Sequence, residues 1–281
     1  MLITTAIVLS NKRLAGEYRV LVLESPTVAR KVKPGQFVHL RVPRLNDTIL
    51  RRPFSVFKAD DATLSLLYKC IGKGTRAMAD LLPGDAVSLL GPLGKGFPPI
   101  RRNSQPVLVA GGYGMAALYL LAQRAPVKGD VFVGGAGARD ILCVNDFRKI
   151  GWRVHTATED GSRGANGLVT SSLDTWLRKQ SRSRKLEFFA CGPMGMLKAV
   201  ADRAQSGGWK AWLSLDRNMG CGVGACLACV QKVKARGASV RTPAKPAKKN
   251  DWQWARICTE GPVFECREIV WEDKASQDRE A

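Results

Sequence analysis

Three cysteines, Cys221, Cys226 and Cys229, follow the spacing C-x4-C-x2-C, and Cys258 lies further along the chain. Two sulfide-bridged irons need four thiolates, and a tight loop can present three of them around a compact centre. This is the ligand spacing of a plant-type [2Fe–2S] cluster. Gly222, Gly224, Ala225 and Ala228 stand between the cysteines, small enough for the backbone to curl close to inorganic sulfide with its amides turned inward. Zinc would ask for two separated C-x2-C pairs, and the chain has one. On spacing alone Cys266 competes with Cys258 for the fourth place. A one-electron centre must exchange electrons with a flavin, a nicotinamide or a partner.

Two further segments carry such chemistry. Arg52-Pro53-Phe54-Ser55 offers a guanidinium, which pairs well with a pyrophosphate, and a proline that fixes the backbone so that Ser55 can aim at a flavin ring. Further on comes Tyr68-Lys69-Cys70-Ile71-Gly72-Lys73-Gly74-Thr75, whose glycine loop, some twenty residues after Arg52, opens a helix and can offer amides to phosphate. Together the two resemble the flavin site of the ferredoxin–NADP reductase superfamily. Gly111-Gly112-Tyr113-Gly114 then joins a strand to a helix, where a nucleotide pyrophosphate can approach the helix N-terminus. Glu159 and Asp160 close one later strand and Cys191-Gly192-Pro193 another, both at carboxyl strand ends, where open α/β sheets bind ligands. An acidic pair near a ribose favours its 2′-hydroxyl over a 2′-phosphate, which selects NAD over NADP. Cys191 could line a nicotinamide pocket or simply be buried. His39 and His155 are isolated and read as structural. No Ser-His-Asp arrangement and no H-E-x-x-H motif is present, so no catalytic side chain is assigned.

The elements that must position these groups fall into three units. Short β-type runs at 6–10, 18–24, 36–41, 55–58, 64–69 and 86–90, with one helix at 75–82 and turn residues between them, predict a small antiparallel barrel. From about residue 104, strands at 106–110, 130–134, 153–158 and 186–190 alternate with helices at 115–123, 167–179 and 193–205. That alternation predicts a doubly wound parallel α/β sheet. The cysteine-bearing segment from about residue 208 makes a third, smaller unit, in which 241–250 reads as a low-complexity loop and the stretch after Trp271 as a frayed tail.

Composition narrows the context. The 281 residues carry a formal charge of +20. Much of it lies in the run 178–185 and between Lys232 and Arg256, where eight basic residues face one acid, Asp251. No helix-turn-helix, zinc-finger or RNA-recognition pattern accompanies the charge, so a solvated basic or docking surface is expected, not nucleic acid. No window approaches the roughly 20 apolar residues of a membrane span. Cysteines without a secretory leader point to a cytoplasmic protein whose thiols stay reduced.

Taken together, Arg52–Ser55 and 68–75, the Gly-Pro-Leu-Gly at 91–94, the segments 111–118, 158–162, 191–193 and 219–229, and Cys-Thr-Glu-Gly-Pro-Val-Phe at 258–264 resemble the electron-transfer subunits of type B dihydroorotate dehydrogenases. The resemblance implies an FAD-binding barrel at 1–101, an NAD-binding domain at 102–207 and a [2Fe–2S] domain at 208–281. It favours Cys258 over Cys266 as the fourth ligand. It implies a heterotetramer with an FMN-containing catalytic subunit, whose electrons pass through the cluster and FAD to NAD+ in pyrimidine biosynthesis. Three departures stand out: Ala117 where the family has proline, Tyr113 where it has an aliphatic residue, and a longer basic interval between Cys229 and Cys258. They leave room for another partner, since similar subunits serve hydrogenases, sulfur reductases and ferredoxin oxidoreductases.

Overall fold

The computed structural model describes residues 1–43, 49–181, 183–235 and 252–271. The stretch 241–250 and the tail after Trp271 lie outside the described residues, as does Arg182 of the basic run.

Six antiparallel strands close into the N-terminal barrel. They are β1 (Leu2–Ala15), β2 (Tyr18–Glu24), β3 (Phe37–Arg41), β4 (Arg52–Ala59), β5 (Thr63–Lys69) and β6 (Ala86–Leu93), in spatial order β1-β2-β5-β4-β3-β6. The period of two decides what they bury. Leu21 and Leu23, Val38 and Leu40, Leu64 and Leu66, and Val87 and Leu89 alternate inward and fill the interior. Two short helices attach to the barrel, α1 (Pro26–Ala29) and α2 (Lys73–Ala79). The second covers the earlier part of the expected 75–82 helix and stops at Asp80, ahead of the Pro83-Gly84 turn.

The second unit contains β7 (Gln105–Gly111), α3 (Met115–Arg124), β8 (Asp130–Gly135), α4 (Val144–Lys149), β9 (Arg153–Thr158), β10 (Ala165–Asn166), α5 (Val169–Leu177), β11 (Leu186–Cys191), α6 (Met194–Ser206) and β12 (Lys210–Ser214). Its strands pair in parallel, in the order β10-β9-β8-β7-β11-β12. β11 is buried along its whole length, as a strand covered on both faces by helices must be. Residues 115–122 of α3 are all buried, because this helix lies between the sheet and barrel strand β4 and has no face left for water.

β12 lies beyond the expected boundary at 207/208 and yet is a strand of this sheet. The third unit adds β13 (Val230–Lys234) and β14 (Trp252–Arg256), an antiparallel pair, and β15 (Val263–Glu265). β15 pairs antiparallel with β12 and becomes the seventh strand of the large sheet. The cysteine-bearing segment is thereby built into the α/β unit. Among the described residues no helix is long and apolar enough to cross a membrane.

Candidate functional site

A cavity of 1390 Å³ opens where the carboxyl ends of β7, β8, β9 and β11 meet the barrel. A single small ligand typically fills about 300–1,000 Å³, so this space suits more than one group. Arg52, Pro53, Phe54 and Ser55 of β4, Tyr68 and Lys69 of β5, and Thr75 of α2 form its barrel wall. Gly111, Gly112 and Gly114, Glu159, Cys191 and Gly192 form its sheet wall. Motifs more than a hundred residues apart thus face one space.

Three expected contacts stand outside that wall, each for a local reason. The Cys70 thiol turns to the Thr75 carbonyl at 3.6 Å. Gly74 lies under Arg52, whose Nε would be 2.8 Å from a Cβ there. Asp160 folds onto its own turn and accepts from the Ser162 amide at 2.9 Å and hydroxyl at 2.6 Å. Thr75 Oγ1 accepts from the amides of Ile71 and Gly72 at 3.0 and 3.1 Å, which ties down the turn that opens α2 beside Arg52 on the cavity wall.

Sequence reasoning missed the groups that close the wall. The Tyr18 hydroxyl donates to Asp140 Oδ1 at 2.6 Å, and Lys69 Nζ lies 3.7 Å from the same oxygen. The barrel is thus tied to the sheet unit at the rim of the cavity. Burial, then the Asp140 hydrogen bond, pushes the Tyr18 hydroxyl well above its ordinary value. From the end of β12 onward, residues 214–219 and Pro262 also line the cavity. Tyr113 donates to Asp216 Oδ2 at 3.3 Å. The surface of Asp216 opens into the cavity, whose walls desolvate the carboxyl and raise it, with the Tyr113 hydroxyl opposing. The Cys191 thiol is pushed up to about 12, by burial first and the Asp216 charge second. Gly114 has no room for a side chain, because a Cβ would run into the Cys191 carbonyl. Helix α3 can therefore begin hard against the end of β11.

The cysteine loop abuts this cavity through Met219. Cys221 Sγ accepts from the amides of Val223, Ala225 and Cys226 at 3.4, 3.3 and 3.4 Å. Burial alone would raise this thiol, but those amides and the Cys226 thiol bring it down to about 6. Cys258 is pushed up to about 12, by burial first and by the adjoining Cys229 thiol second. The four sulfurs therefore form two pairs, an outer Cys221/Cys226 and an inner, buried Cys229/Cys258. Among the described residues no group of three or more His, Cys, Asp or Glu side chains is placed to hold a metal ion. Two pairs suit a binuclear centre, which takes two thiolates on each iron. Cys266 is engaged elsewhere, its amide on the Ala211 carbonyl at 2.8 Å and its thiol on Glu265 at 3.5 Å.

His39 of β3 lies behind the loop. It is 0% exposed, and neither ring nitrogen has a hydrogen-bond partner among the described residues. Burial, and secondarily the Arg51 charge, lowers it to about 4 and keeps it neutral.

Residues 216–242 match the family model for the iron–sulfur cluster binding domain of dihydroorotate dehydrogenase B. The chain is similar to the dihydroorotate dehydrogenase B (NAD(+)) electron transfer subunit of Shouchella clausii, at 37% identity over 89% of this chain and 91% of that one. With its counterpart in Geobacillus kaustophilus it shares 36% identity over 94% and 96% of the two chains. Among solved structures it resembles an NADH-dependent reduced ferredoxin–NADP oxidoreductase that performs flavin-based electron bifurcation. The TM-score is 0.78 at 25% identity, covering 98% of this chain and 93% of that one. The fold is also that of a Neisseria gonorrhoeae ferredoxin–NADP+ reductase with bound FAD and NADP, with a TM-score of 0.59 at 18% identity over 73% and 92% of the chains.

Proposed function

The chain belongs to the family of dihydroorotate dehydrogenase B electron transfer subunits, and from that premise we propose that it carries electrons from a catalytic dihydroorotate dehydrogenase subunit to NAD+ by way of a [2Fe–2S] cluster and FAD. The observation that carries this reading is a shared wall. Met219, two residues before Cys221, lines the same cavity as Arg52–Ser55 and Gly111–Gly114. A one-electron site and a nucleotide-sized site therefore adjoin.

FAD, when bound, supplies the conversion between one- and two-electron chemistry. The chain supplies position and charge. Arg52 would pair with a pyrophosphate, Pro53 and Phe54 would give an apolar wall, and Ser55 would stand toward the flavin ring. Tyr68, Lys69 and Thr75 complete that wall. Gly111, Gly112 and Gly114 admit the pyrophosphate of NAD to the start of α3, and Glu159 faces its ribose. Cys191 and Gly192 bound the nicotinamide end. Cys221, Cys226, Cys229 and Cys258 hold the cluster. By this reading, residues 1–101 form the flavin unit, 102–207 with β12 the nicotinamide unit, and the remainder to 281 the cluster unit. The eight cysteines stand free, which suits a reducing cytoplasm.

The purified chain is expected to contain FAD, iron and sulfide, to oxidise NADH with an artificial acceptor, and to leave dihydroorotate untouched until the catalytic subunit is added. Cys258→Ser should lose the cluster absorbance and Cys266→Ser should keep it. Loss of the cluster in Cys266→Ser alone would reassign the fourth ligand. Recovery from cells with a hydrogenase or sulfur-reductase subunit would replace the partner.

A further inference from the structure

His39 sits between the two redox sites. Along β3 the side chains alternate: Val38 and Leu40 enter the barrel interior, so Phe37 and His39 face the other way. Phe37 packs in the same apolar cluster as Cys229 and Cys258, and its ring centroid is 5.6 Å from that of His39. His39 therefore faces the cysteine segment, away from the barrel interior. On its own sheet it pairs with Pro53 of the cavity wall.

Gly222 of the cysteine loop lies flat on the imidazole. A Cβ at Gly222 would fall 2.7 Å from Cε1 and 2.9 Å from each ring nitrogen, and its φ of +72° already favours glycine. Loop and ring are matched at van der Waals contact. A neutral imidazole carries one N–H donor and one acceptor, and a polar group this deeply buried ordinarily has a partner. Both nitrogens of His39 lack one among the described residues. The four cysteine sulfurs are among the described residues and none partners either nitrogen, so the acceptor of suitable chemistry is the inorganic sulfide of a cluster held by this loop.

We propose that His39 is a positioning residue of the cluster site: its ring clamps the loop at Gly222, and its N–H donates to the sulfur shell that the loop holds. The proposal rests on the [2Fe–2S] reading. A donor to cluster sulfur stabilises the more negative, reduced state and so raises the potential.

The decisive measurement uses the holo chain labelled with 15N-histidine. Only two histidines are present, and His155 is committed to Asp130 at 2.9 Å. Pulsed EPR of the reduced cluster should show a histidine nitrogen coupling that survives His155→Gln and vanishes in His39→Leu. In an EPR-monitored redox titration, His39→Leu should lower the reduced-to-oxidised ratio at fixed potential about tenfold, or about 59 mV for a one-electron couple. His39→Gln, which keeps a donor, should recover at least half of that shift. A normal cluster signal without the nitrogen coupling, and with an unmoved potential in His39→Leu, overturns the proposal and leaves the cluster reading intact. A reconstituted chain with no cluster signal overturns both. Should His39→Leu not retain the cluster, the labelled wild-type chain and His39→Gln still decide.

Discussion

The two ends of the parallel sheet each hold an aspartate, and the two are treated in opposite ways. Asp130 begins β8 at the amino end, and its side chain is 1% exposed. Arg153 Nη2 and Nε meet it at 2.6 and 3.0 Å, Gln105 Nε2 at 2.7 Å and His155 Nε2 at 2.9 Å. Burial alone would raise this carboxyl, but the hydrogen bonds from His155, Arg153 and Gln105 hold it down to about 2. Asp216 follows β12 at the carboxyl end and, among the described residues, has one long hydrogen bond, from Tyr113 at 3.3 Å; its surface opens into the cavity, whose walls desolvate the carboxyl and raise it. Three partners and four contacts spent on one acid serve stability. An acid left short of partners on a cavity wall keeps its chemistry in reserve. The basic residues Arg184 and Lys185 of the 178–185 run stand at the satisfied end, beside Arg102, Lys128 and Arg153, away from the nucleotide cavity.

The contrast can be broken in four ways. The largest effect is expected from Asp130→Ala, which strips a buried charge from its partners and should cost about 3 kcal/mol in urea unfolding. Asp216→Ala should stay within about 0.5 kcal/mol, and a loss equal to that of Asp130→Ala would erase the distinction. Next is pH. The folded-state value of Asp130 is depressed, so its contribution is full above about pH 4 and is lost as pH falls toward 2, by about 2 kcal/mol. Unfolding curves across that range should show the step in wild type and lack it in Asp130→Asn. Asp216, being raised, contributes with the other sign and loses stability as pH rises past the ordinary carboxylate value.

Smaller effects belong to the cavity end. Asp216→Asn should slow NADH oxidation by about threefold to tenfold and remove an acid limb from its pH profile. A superimposable profile would deny the carboxyl any part in the site. Tyr113→Phe comes last. Its hydroxyl lowers Asp216, so the limb should move to higher pH, by an effect worth about 0.5–1 kcal/mol. Movement to lower pH would contradict the geometry.

What could be read ahead of the structure was whatever is local. The individual strands of the barrel, the strand–helix alternation of the sheet unit, the glycine loop and the cysteine spacing are each written in short segments, so periodicity and motif reveal them. Asp140, Asp216 and Pro262 reach the cavity only through tertiary folding, and no spacing announces them. β12 was missed because five residues beginning with lysine hardly register as a buried strand, and β15 is shorter still. Helix α4 follows an N-cap at Cys143, a non-glycine residue with φ +52°, and has no capping side chain to mark it. His39 reads as structural from sequence because only the folded chain lays Gly222 across its ring.

The pairing of β15 with β12 bears on association as well as on electron transfer. An open sheet ends in rows of unpaired amides and carbonyls that invite a second molecule. Here one edge is the two-residue β10 and the other the three-residue β15, which covers β12; both are too short to template much. The segment that brings the fourth cysteine therefore also seals the sheet. A chain ending before residue 252 would lose both together, and its exposed β12 edge would make it prone to self-association before any question of redox activity arose.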